Sequence, residues 1–90
     1  MKFYLVTSFD LSPEGFDFNV LTDGIDRLGK AYQITDAVWL VGTHLLSDEI
    51  KESLMKPYQR RSFLIAAVSS LNGNLPSRLA DWINLNKDTP

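Results

Sequence analysis

Asp10 closes a strand-like run, Phe3-Tyr4-Leu5-Val6-Thr7-Ser8-Phe9, and is followed by Leu-Ser-Pro-Glu-Gly. A carboxylate at the exit of a strand has three chemical uses: it can hold a turn, cap a helix, or ligate a hard cation. Mg²⁺ accepts carboxylate oxygens while keeping several waters, and there it activates water and stabilises a leaving oxygen. Two symmetric copies of Asp10 facing a gap in a homodimer would suit it. Pro13 and Gly15 also make the stretch after Asp10 a good turn sequence, in which an Asp carboxylate accepts bonds from nearby backbone N–H groups. The residue chemistry alone favours the turn.

A second group is basic. Lys56, Tyr58, Arg60 and Arg61 follow one another in "KESLMKPYQRR". Lys and Arg neutralise phosphates, and a tyrosine between them can stack on a base. Asp48, Glu49 and Glu52 share the preceding helix pattern, and Glu52 stands four residues before Lys56, the spacing of a helical ion pair. A solvated helix end is the reading this pattern favours. His44 is the sole histidine, just past a strand end in "WLVGTHLLSD"; with no acid beside it, it reads as a polar loop residue rather than a base or ligand. Trp39 and Trp82 read as core or dimer anchors, with base stacking the lesser option. The chain has no G-x-S-x-G, no G-x-G-x-x-G and no P-loop lysine, which removes nucleophile-elbow and nucleotide-cofactor chemistry.

The bulk numbers bound what else is open. Ninety residues make one domain over 1–90. A chain this short buries a limited share of its surface, so association would help it. With no cysteine, disulfides, thiolate zinc sites and a thiol nucleophile are excluded, as suits a reducing compartment. Nine basic against eleven acidic residues give a net charge of −2, which argues against a dedicated nucleic-acid binder without excluding a local patch. The opening "MKFYLVTSFD" lacks the apolar core and cleavage site of a signal peptide, and no stretch approaches the ~18 apolar residues of a spanning helix. A cytoplasmic protein that does not enter membranes is expected.

The elements that must position these residues follow from periodicity. Residues 3–9 alternate, with Phe3, Leu5, Thr7 and Phe9 on one face and Tyr4, Val6 and Ser8 on the other; apolar character on both faces predicts a central strand. Phe18, Leu21, Ile25 and Leu28 form a helical stripe, with Asp17 or Asn19 as its cap and Gly29 as its stop. Gly24 inside it suggests a close packing contact. Residues 31–34 and 37–43 read as a hairpin turning at Thr35-Asp36. Ser47 is placed to cap a second helix carrying Ile50 and Leu54 inward, with Pro57 ending it. "SFLIAAVSS", 62–70, is nearly continuous in apolar residues and reads as a buried strand. "NGN" turns the chain into a terminal helix with Pro76 near its start and Leu79, Trp82 and Ile83 facing inward. The order βαββαβ predicts an α+β, ferredoxin-like antiparallel sheet with two helices on one face, plus a short C-terminal helix. The other face then needs cover, from that terminal helix or from a second copy.

The stretches "YLVTSFDLSPEG", "IDRLG", "TDAVWLVGT", "LSDEIKESL" and "ADWI" resemble a group of small bacterial and phage proteins. They are relatives of the CRISPR-associated endoribonuclease of the adaptation complex (the second Cas protein) and are often labelled SinR-family. The resemblance spans residues 2–84. It implies a ferredoxin-like fold, a homodimer and nucleic acid as partner, and it puts Asp10 at the position of the family's proposed metal-dependent nuclease residue. The chain departs from that family in being slightly acidic and in ending on a helix where the family ends on a strand. A metal-dependent phosphodiesterase is thus one expectation. The alternative is a non-catalytic dimeric adaptor of phage or defence origin that binds a protein partner, with Asp10 structural.

Overall fold

The computed structural model describes residues 1–9, 16–55 and 62–87, with backbone alone for 16–18. Seven elements follow in order: β1 (Lys2–Ser8), α1 (Phe16–Asp26), β2 (Lys30–Thr35), β3 (Val38–Thr43), α2 (Ser47–Met55), β4 (Phe63–Val68) and α3 (Ser77–Asn86). The four strands form one sheet in the order β2-β3-β1-β4, every neighbouring pair antiparallel. The molecule is therefore an α+β domain built on a four-stranded antiparallel sheet with three helices. No helix among the described residues is long and apolar enough to cross a membrane.

β1 occupies the interior position its two apolar faces predict, with Leu5 opposite Leu40 on one side and Ala66 on the other. Alternation then sorts its side chains between two cores. Tyr4 and Val6 join Trp39 and Val41 of β3 against Leu21 and Ile25 of α1 and Ile50 and Leu54 of α2. Phe3 and Leu5 point the other way, where Leu40 and Tyr32 meet Leu79, Trp82 and Ile83 of α3. α1 and α2 thus cover one face, and α3 covers part of the other. Trp82 seats α3 on the sheet through tilted ring contacts, with centroids 6.0 Å from Phe3 and 5.8 Å from Tyr32.

Helix ends differ from expectation in instructive ways. α1 begins at Phe16, which puts Asp17 and Asn19 inside it rather than at its cap. Its C-terminal carbonyls are tied by turn bonds and by the buried Thr43 hydroxyl, which donates to the Leu28 carbonyl at 2.6 Å. Gly29 follows with φ +155, and a Cβ there would lie 2.5 Å from the Gly42 carbonyl oxygen, so this crossing requires glycine. At α2 the cap falls one residue earlier than Ser47: the Glu49 carboxylate reaches back to accept from the Leu46 N–H at 2.9 Å, half of a capping box. α2 ends at Met55; Pro57 lies outside the described residues.

β4 corrects a larger expectation. Its unbroken apolar run predicts a buried strand, yet no residue of β4 is fully buried, and Leu64 is 55% exposed. The run is apolar because α2 covers one face. On the other face the α3 cluster takes in Tyr32, Leu40, Phe3, Leu5 and Val68 and leaves Leu64 open.

Candidate functional site

The residues singled out by their chemistry belong to two stretches, 10–15 and 56–61. Asp10, Lys56, Tyr58, Arg60 and Arg61 all lie outside the described residues. What the fold does define is where those stretches leave and rejoin the sheet. Ser8 stands opposite Phe63, and the Phe9 N–H donates to the Ser62 carbonyl at 3.1 Å. The strand that runs into Asp10 and the strand that follows Arg61 are therefore neighbours, joined by a backbone bond at their last rung.

A third segment meets them. The Ser8 N–H donates to the Ala37 carbonyl at 2.9 Å, which brings the β2–β3 turn to the same end of the sheet. That turn is held by the Ala37 N–H, which donates to the Thr35 hydroxyl at 3.2 Å, a local side-chain closure of the kind Thr supplies where Asn-Gly is lacking. It presents Asp36, an exposed carboxylate that the sequence reading did not single out. Its signal was available: Asp36 is the one acid in a two-residue turn preceding a strand that must pair with β1. Around these groups the surface is apolar, with Phe9 62% and Ile34 40% exposed.

His44 is not part of this end. It is exposed and follows Thr43, which pairs with Lys2 at the opposite end of β1. Seven residue steps from Ala37 to His44 at ~3.4 Å each place it roughly 24 Å away, so it does not act with a group rooted at Phe9 in the same chain. Trp39 is 1% exposed inside the core and offers no ring face to a base. Trp82 is taken up by Phe3 and Tyr32.

Grooves open elsewhere. One, of about 570 Å³, lies near the start of β1, where Lys2, Ser69, Ser70 and Lys87 are among its lining residues. Another runs between α1 and α2 past Gly24, Arg27, Glu49 and Glu52. Among the described residues no three His, Asp or Glu side chains converge as a metal site would require. Asp36 is the described carboxylate at the Phe9 end, and a cation there would need Asp10 or a second chain besides.

No family model matches the chain, and neither the curated proteins nor the solved structures contain a match to it.

Proposed function

We propose that the chain is a homodimeric, ferredoxin-like protein that handles nucleic acid at the Phe9 end of its sheet, with phosphodiester cleavage as the activity. The strand order β2-β3-β1-β4 with α1 and α2 on one face supports the split-βαβ plan. One observation carries the functional reading: the Phe9–Ser62 bond joins the strand leading to Asp10 and the strand leaving Arg60 and Arg61. An acid that follows Phe9 in the sequence and a pair of guanidinium groups that precede Ser62 are the parts that cutting a phosphate backbone needs. The cations hold the phosphates, and the carboxylate is the group that binds Mg²⁺, a cation that activates water when bound. Lys56 adds charge and Tyr58 a stacking surface. Mg²⁺ is the proposed partner of Asp10.

The test is cleavage of single-stranded RNA and of duplex DNA by wild type and Asp10→Ala, with and without Mg²⁺. The reading expects Mg²⁺-dependent cutting that Asp10→Ala abolishes while the fold is retained. Arg60→Ala combined with Arg61→Ala should lower the salt dependence of single-strand binding by about 1.4 in log–log slope, at ~0.7 per lost phosphate contact. Wild type that neither cuts nor binds nucleic acid would leave Asp10 a turn residue.

A second reading is favoured by a separate observation. Phe9 and Leu64, on one face of adjacent strands, are 62% and 55% exposed, an apolar surface suited to a protein partner. On this reading the protein is an adaptor, and its binding is insensitive to salt.

A further inference from the structure

The two edges of the sheet are built differently. β2, Lys-Ala-Tyr-Gln-Ile-Thr, carries a charge at its start, and its register with β3 breaks between Gln33 and Thr35. Charge and a bulge are two devices that stop an edge from pairing with a foreign strand. β4, Phe-Leu-Ile-Ala-Ala-Val, has neither. It carries no charge, proline or glycine, and its register with β1 is unbroken from Phe3↔Val68 to Ser8↔Phe63. Among the described residues β4 pairs with β1 alone.

The ladder fixes which groups β4 turns outward. Because the Phe9 N–H bonds to the Ser62 carbonyl, alternate residues Leu64, Ala66 and Val68 direct their backbone groups toward β1. Ile65 and Ala67 direct their N–H and C=O groups away from the sheet. A partner strand must meet this spacing and must bring no charge against an apolar row. A second copy of β4, running antiparallel, meets both conditions at once.

We propose that the β4 edge is where two copies of this chain join, their sheets continuing into one across a two-fold axis at Ile65. This deepens the dimeric part of the reading above by naming the surface used. The geometry allows only registers that match outward-facing residues with each other, so the two-fold must pass through a residue pair, not between residues. Centring it at Ile65 or at Ala66 overlaps five residues of the strand, and of these two Ile65 is the one whose backbone groups face outward. Ile65 then faces the partner subunit's Ile65, and Leu64 faces the partner subunit's Ala66. On the open face of the sheet the two Leu64 side chains become diagonal neighbours, about 7–8 Å apart, and cover one another. The surface that leaves Leu64 55% exposed in one chain thus acquires an occupant of its own kind.

The experiment is the mass of the full chain in solution by sedimentation equilibrium, together with amide hydrogen exchange. Wild type should have the mass of two chains, and the Ile65 and Ala67 amides should be slow to exchange in the dimer and fast on dilution. Ala67→Pro removes an outward N–H that takes no part in pairing with β1 and sets its ring where the second strand must lie, as edge prolines do. It should fold and have the mass of one chain. Leu64→Lys with Ala66→Lys opposes like charges across the axis and should also give one chain. Leu64→Lys with Ala66→Glu opposes unlike charges in this register and should keep two. Dimeric wild type with freely exchanging Ile65 and Ala67 amides, or a folded Ala67→Pro dimer, overturns the β4 edge while the dimer itself stands. Loss of the dimer in both charge pairs overturns the Ile65 axis. Monomeric wild type at tens of micromolar overturns dimerisation altogether, whereas nucleic-acid cleavage is read in a different assay.

Discussion

Thr43→Val should destabilise this domain although it changes the side-chain volume very little. The Thr43 hydroxyl is buried and serves two backbone groups: it donates to the Leu28 carbonyl at 2.6 Å and accepts from the Leu45 N–H at 3.2 Å. The first bond ties the end of α1 to the end of β3, and the second starts the turn that leads into α2. Valine keeps the shape and leaves both groups without that partner. Each intramolecular bond contributes about 1 kcal/mol net, and a buried group left unpaired costs about 1–3 kcal/mol. The Leu28 carbonyl lies in the buried bond and takes the larger share, while the Leu45 N–H is partly buried and can regain water. The sum is about 2–4 kcal/mol, a large part of what a domain of this size has.

Urea unfolding followed by far-UV circular dichroism measures it. With a slope of about 1 kcal/mol per molar urea for a chain this short, the midpoint should fall by about 2–4 M. Protein concentration must be held fixed, because dimerisation would add to apparent stability. Thr43→Ser is the informative control. It keeps the hydroxyl and loses one methyl, worth about 0.8 kcal/mol, so serine should be the milder change. If packing governs this position the order reverses. A valine variant at least as stable as the serine variant would refute the reasoning.

Two further expectations concern how the layers are joined. Gly29→Ala should cost more than about 2 kcal/mol, because it combines a positive φ with a Cβ 2.5 Å from the Gly42 carbonyl oxygen; Gly42→Ala should cost less, since its new Cβ would first meet the flexible Met1 side chain, and the two melting temperatures decide the order. Trp82→Ala should release α3 from the sheet without opening the core under α1 and α2, because the two ring contacts it loses belong to the other face; hydrogen exchange should then show fast amides in α3 and unchanged protection in β1 and β3, and uniform loss of protection would count against separate cores.

The pattern of these contacts explains which parts of the molecule were legible in the sequence. The order and kind of elements came through because β1, α1 and α3 each carry a period that only one structure satisfies: Phe3 and Leu5 against Tyr4 and Val6, then Leu21 and Ile25, then Leu79 and Ile83. Helix caps were misplaced by a residue or more, since capping depends on which acid reaches back, and Glu49 does so where Ser47 was expected. The exposure of β4 is illegible in the sequence for a deeper reason. Periodicity reports how apolar a strand is, whereas its place in the sheet is set by long-range pairing that no local window contains. "FLIAAV" is equally compatible with a strand between two neighbours and with a strand that still lacks one. The candidate site shares this property. Asp10 and Arg61 are 51 positions apart in the sequence, and nothing local links them. It is the register Ser8↔Phe63 that makes the strands next to them neighbours. The same register, carried one strand further, turns Ile65 and Ala67 outward. The two functional questions this fold raises therefore depend on one ladder, and a change that slipped β4 by a single residue would disturb both together.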